Sequence, residues 1–278
     1  MLGKGKKNKV KRLADNTKAA AIPITFLILF VSLMLIITAT YYSAITQISA
    51  RGRSLNFSAV KQSMAKLEES IQKVMWSPGA SQVYYFDDFG GNLKTLSATN
   101  KLTINITDGI FYDVVFNGSI GKISYELSYA EAGSSGVFLK GDSRVILNSS
   151  ATSITQMKIT TGANGQEIVL SYRPFASSTV TGSSGGKPVN NVRIYVVNMN
   201  VSDSLYLPSG FYLRIQCVNV SSLIKSYNLP NPVSSIQIKT TMDSSKGEVC
   251  LPIQSNAFGA TVNLEILICN VQLRKVEV

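Results

Sequence analysis

No charged residue occurs between Ala19 and Ala50, and that silence limits the chain more than any other feature. The 21 residues from Ile22 to Tyr42 are almost wholly apolar. Wound as a helix at about 1.5 Å per residue they cover roughly 31 Å, the hydrocarbon thickness of a bilayer. Thr25, Ser32, Thr38 and Thr40 fit such a setting if their hydroxyls bond back to helix carbonyls. Tyr41 and Tyr42 fall where an aromatic belt meets the membrane surface. A secretory signal has a shorter apolar core, about 7–15 residues. A soluble helix is rarely apolar on every side over this length. The stretch 20–50 is therefore predicted to be a transmembrane helix, with Ile22, Pro23, Phe26, Leu29, Phe30, Leu33, Ile36, Ile37 and Tyr41 on its membrane surface.

Charge is distributed to match. The formal net charge is +11, and seven of the positive residues (Lys4, Lys6, Lys7, Lys9, Lys11, Arg12 and Lys18) lie in the first 18 positions against Asp15 alone. Only Arg51 and Arg53 follow the span closely, so the basic N-terminus is expected inside and everything after Tyr42 outside. The basic segment, expected to be unstructured, suits anionic lipid as its partner; no folded basic surface suggests nucleic acid.

Histidine is absent. That removes the commonest general base, the Ser-His-Asp and Cys-His arrangements, and the usual zinc and haem ligands. No catalytic, cofactor-binding or metal-binding residue is assigned, and a non-enzymatic protein without cofactors is expected. Ser222 with Lys225 carries little information in so serine-rich a chain. Asp87-Asp88 before Phe89-Gly-Gly-Asn92 reads as a polar turn before it reads as a calcium loop. The odd set Cys217, Cys250 and Cys269 permits one disulfide of unknown pairing if the domain is extracellular, or three buried thiols.

The helical period continues past the span. Phe57, Val60, Met64, Leu67, Ile71 and Val74 recur at alternating spacings of three and four, one apolar stripe. Ser54 precedes it, Ser77-Pro-Gly79 ends it, and Gly52 is the weak point between the two halves. The stripe predicts packing against the domain that follows.

From residue 81 the period becomes alternating. Strands are predicted at 82–86, 93–97, 101–107, 111–116, 120–128, 136–140, 143–148, 154–160 and 166–173, then at 189–199, 210–220, 233–240, 247–253 and 260–276. Turn chemistry separates them at Thr107-Asp-Gly109, Phe116-Asn-Gly118, Lys140-Gly-Asp142 and Ala163-Asn-Gly165. Ala176–Gly186 reads as a Gly/Ser linker. Alternation is lost near Cys269, which predicts a bulge or bend. The fold class expected is α+β: a long hydrophobic then amphipathic N-terminal helix and a mostly antiparallel, sandwich-type β domain. Its parts are 1–19, 20–50, 51–77 and 78–278, the last one unit or two halves (78–175 and 187–278). Six N-x-S/T sequons, at Asn56, Asn105, Asn117, Asn148, Asn200 and Asn219, all fall on the side expected outside; Asn117, in an expected turn, is the best placed acceptor.

Lys18-Ala-Ala-Ala-Ile-Pro-Ile-Thr-Phe26 and the apolar run behind it resemble the archaeal type IV pilin-like proteins, the group that includes pilins and archaellins. Gly121–Tyr125, Gly136–Ile146 and Ile168–Pro174 resemble that group more loosely, and 187–278 has no counterpart in the resemblance. The resemblance implies a leader of residues 1–19 read at Lys18, Ala19 and Ala20, cut after Ala19, with Pro23 as the early proline. It implies a cell-surface minor pilin or adhesion subunit that assembles into homo- or hetero-oligomers through the helix, in a membrane or an extracellular filament. The alternative is a permanently anchored single-pass protein with an external ligand- or envelope-binding domain.

Overall fold

A computed structural model describes residues 5–127, 135–149, 151–162 and 165–277, with side chains from residue 23 onward except Ala98. One helix, α1 (Gly5–Val74), is followed by β1 (Ser81–Phe86), β2 (Gly91–Thr107), β3 (Tyr112–Leu127), β4 (Phe138–Lys140), β5 (Thr155–Thr161), β6 (Gln166–Tyr172), β7 (Phe175–Ser184), β8 (Lys187–Asn198), β9 (Tyr206–Leu207), β10 (Phe211–Leu229), β11 (Ser235–Met242), β12 (Ser245–Pro252) and β13 (Ala260–Val276). The architecture is α+β, a long N-terminal helix and then a strand-rich, mostly antiparallel domain. The chain divides into two compact units, 1–55 and 56–278.

α1 is longer than its sequence signal. Residues 5–18, expected to be unstructured, are helical, as their Lys, Ala and Leu content permits. The helix also runs through Gly52 unbroken. It ends because Trp76 takes a left-handed backbone (φ 65°), after which Ser77-Pro-Gly79 leads into β1.

Within the 56–278 unit the strands form two sheets. One has the order β1-β10-β13-β8-β7; the other runs β12-β11-β2-β3-β6-β5-β4, with β9 beside β2. The pairings between these strands are antiparallel except β13 with β8; the isolated bridge of Leu147 with Phe175 is also parallel. Each sheet curls into a half-barrel.

Two buried clusters each draw on both sheets. In one, Leu102, Ile104, Ile106, Ile236 and Ile238 of the second sheet meet Val192, Ile194, Val262, Leu264 and Ile266 of the first. In the other, Phe57, Val60, Met64, Leu67, Ile71 and Val74 share a buried cluster with Phe86, Leu213, Ile215 and Leu273 of one sheet and Leu93, Ile123, Tyr125 and Leu170 of the other. All six stripe residues of the helix are buried.

The long strands serve both cores, and their buried parity changes between them. On β13 the even positions Val262 to Ile268 line one core and the odd positions Cys269 to Leu273 the other. A one-residue slip would turn every later side chain to the wrong face, and a bulge absorbs it while adding curl. The parity change therefore sits at Cys269, but the extra residue is Val218 on the partner strand, between Cys217 and Asn219. β2 and β3 carry a similar irregularity between Leu96 and Asn100.

Several local expectations are corrected. The segments 93–97 and 101–107 belong to one strand, and 112–116 and 120–127 to another; residue 128 lies outside the described residues. Asn117-Gly118 is no turn: Gly118 pairs with Leu102, and its missing Cβ leaves room for the Phe116 ring. Residues 143–148 contribute only an isolated bridge at Leu147. Ala176–Gly186 is not a linker but β7 and the hairpin turn into β8, the turn made by Gly185 and Gly186 at positive φ. Strands from both sides of it contribute to both sheets.

Candidate functional site

The apolar stretch of α1 is exposed. From Ile24 to Ile37 twelve large apolar side chains are exposed, Val31 the least at 48% and Phe26 the most at 72%. Phe26, Leu29, Phe30, Leu33, Ile36, Ile37 and Tyr41 are all among those exposed. Pro23 is exposed as well; the side chains of Lys18, Ala19, Ala20 and Ile22 lie outside the described residues. Burying each large side chain would gain about 1.5–3 kcal/mol.

Four hydroxyls in and just beyond this stretch bond back to the helix. Ser32 donates its hydroxyl to the Leu29 carbonyl at 2.9 Å, Thr38 to Met34 at 2.7 Å, Thr40 to Ile36 at 2.7 Å and Thr46 to Ser43 at 2.9 Å. A helix whose hydroxyls bond inward presents hydrocarbon outward, which suits lipid tails or other helices. This one helix is long and apolar enough to cross a membrane or to serve as a signal sequence.

The 56–278 unit carries two polar clusters that the sequence did not disclose. Glu68, on the helix beside the stripe, is 1% exposed; it accepts from Lys140 Nζ and from Thr155 Oγ1, each at 2.5 Å, and from Gln72 Nε2. Arg173, with a fully buried side chain, donates to the Ser153 carbonyl at 2.8 Å, to the Arg144 carbonyl at 2.9 Å and to the Asp142 carboxylate. The guanidinium groups of Arg144 and then Arg173 hold the Asp142 carboxyl well below the usual carboxylate range. Gly141 permits this, because a Cβ there would meet the Thr155 carbonyl and crowd the Arg173 guanidinium. Nearby, Asn100, Lys122, Ser143, Gln156, Lys158 and Ser171 line a polar cleft of about 260 Å³, where the buried Asn100 Oδ1 has no partner.

The sequons are scattered. Asn56 is exposed on the helix, and Asn117, Asn148, Asn200 and Asn219 are exposed elsewhere. Asn117 sits in strand β3, not in a turn, and Asn105 is buried in β2. Of the cysteines, Cys217 and Cys269 are buried together while Cys250 is exposed on β12. Ser222 and Lys225 stand three apart on one strand and so face opposite ways; Lys225 pairs instead with Asp113 at 2.8 Å. Asp88 accepts from the Gly90 amide at 2.9 Å, a turn contact. Among the described residues no group of three or more His, Cys, Asp or Glu could hold a metal ion.

Comparison with protein-family models, with curated proteins and with solved structures returned no match to this chain.

Proposed function

We propose that this is a non-enzymatic surface protein resembling a type IV pilin, a minor pilin or adhesion subunit whose apolar helix is covered by lipid before assembly and by other helices after it. Its two half-barrels form a sandwich-type domain outside the membrane, and the basic N-terminus stays inside. The observation that carries this reading is the run of twelve exposed large apolar side chains.

Pro23 supports removal of a leader after Ala19. In the uncut chain it lies inside α1, where a proline lacks a hydrogen-bond donor and its ring meets the carbonyl four residues back, at a cost of about 3 kcal/mol. The carbonyl in question is that of Ala19. In a chain beginning at Ala20 it is gone, and Pro23 falls among the first four residues, whose amides have no helical partner in any case. Intact-mass analysis of the protein from its native membrane tests this: the reading predicts a chain beginning at Ala20, and a chain retaining Met1 contradicts it.

A second reading, a permanent single-pass anchor with a ligand-binding domain, is favoured by the polar cleft with Lys122 and Lys158. Retention of Met1 together with absence of filaments would select it.

A further inference from the structure

We propose that Cys217 and Cys269 are joined by a disulfide in the mature protein and that Cys250 remains a free thiol. This rests on the reading that the 56–278 unit lies outside the membrane, where disulfides persist.

The geometry selects one pair of the three available. Cys217 and Cys269 lie on the adjacent strands β10 and β13, on either side of the Val218 bulge, Cys217 opposite Val271 and Cys269 opposite Val220. Their sulfurs are 3.7 Å apart and both residues are fully buried. A bond would bring the two sulfurs to about 2.05 Å. Cys250 belongs to the other sheet and is exposed.

The surroundings hold the pair in place. The Trp76 amide, just past the end of α1, donates to Cys269 Sγ at 3.3 Å. Gly79 donates its amide to the Cys217 carbonyl at 2.8 Å, and the Cys217 amide donates to the Ala80 carbonyl at 3.0 Å. A bond here fastens the two strands against which the helix ends, and it closes a long loop, from 217 to 269.

The chemistry belongs to folding. Burial pushes the Cys269 thiol up to about 12, so its thiolate is scarce once the core has closed. Before closure, one thiolate attacks a disulfide-bearing oxidant and expels a thiol, leaving a mixed disulfide. The second cysteine attacks that bond and expels the other thiol. Two electrons and two protons leave the pair, and the oxidant departs as two thiols.

The test counts thiols. Full-length protein from its native membrane is acid-quenched, denatured with excess maleimide, and weighed before and after reduction. The proposal predicts one adduct without reductant, at Cys250, and three after it; the Cys250→Ser variant gives none without reductant. Three adducts without reductant, or one at Cys217 or Cys269, overturn it. A membrane-impermeant maleimide applied to intact cells separates the two ways of failing. Cys250 labelled from outside with three reactive thiols sinks the disulfide alone, whereas Cys250 protected until lysis, with three reactive thiols, sinks the external location and the bond with it.

Discussion

Arg173 shows how much of the β domain depends on contacts between distant residues. Its guanidinium is enclosed by Asp142 and by the carbonyls of Ser153 and Arg144. Arg173→Met would leave the Ser153 carbonyl without its donor and the Arg144 carbonyl with Gln156 alone, and a buried acceptor left unsatisfied costs about 1–3 kcal/mol. Denaturant unfolding of the full chain in detergent should show that loss; an unchanged midpoint would contradict it. Asp142 makes the same cluster sensitive to acid. Its folded pKa lies below the unfolded value, about 3.9. Its stabilisation is therefore complete above that value and lost as pH falls through the folded one. The thermal midpoint should drop below about pH 4, and Asp142→Asn should flatten that part of the profile. A variant that keeps the wild-type acid slope would assign it to other groups. Lys140-Gly-Asp142 reads as a turn in the sequence, and Asp142 does accept locally from the Arg144 amide at 3.0 Å. What the sequence could not show is the partner 31 positions away. Glu68 was equally hidden: its cation, Lys140, is 72 residues distant, and no local spacing announces such a pairing.

Among the elements, α1 was the most legible because its two kinds of surface differ in period. The stripe from Phe57 to Val74 repeats at three and four, and all its residues are buried. The stretch from Ile24 to Ile37 has no polar side, and it is exposed all round. The two should respond differently to truncation. Leu67→Ala should destabilise the folded unit by about 2–5 kcal/mol through lost burial and a cavity. Leu29→Ala should leave its unfolding within about 0.5 kcal/mol of wild type. Equal effects in the same denaturant titration would mean that the apolar stretch is part of the domain core. Strands were legible as alternation but not in extent. Asn117-Gly118 has the chemistry of a hairpin turn, yet β3 passes straight through it because its pairing with β2 continues on both sides. The Ser- and Gly-rich run at 176–186 looked like a linker because it is polar; it forms β7 because β8 is there to pair with it. Thr107-Asp-Gly109 had the same local signal and is a real turn, closed by Asp108 Oδ1, which accepts from the amides of Ile110 and Phe111. Local sequence proposes turns, and long-range pairing selects among them. Gly259 illustrates the same dependence: it has φ +94°, and a Cβ there would collide with the Leu229 carbonyl. Gly259→Ala should therefore lower the unfolding midpoint, which thermal melting would detect.

For the whole molecule, the long strands decide how the β domain behaves. β2, β8, β10 and β13 each place residues in both cores, so neither core can come apart without disturbing the other. Unfolding of the 56–278 unit should be a single cooperative transition by calorimetry, and two resolved transitions would show that the cores are independent. The helix raises the larger question, because an exposed hydrocarbon surface of this length is not stable in water. Sedimentation of the full-length protein after its detergent is withdrawn tests that claim most directly. The account predicts that the protein leaves the monomer state, moving into added lipid vesicles or collecting into helix-bundled assemblies. A stable, water-soluble monomer of 30.1 kDa, with the Ile24–Ile37 surface covered by its own chain, would contradict it.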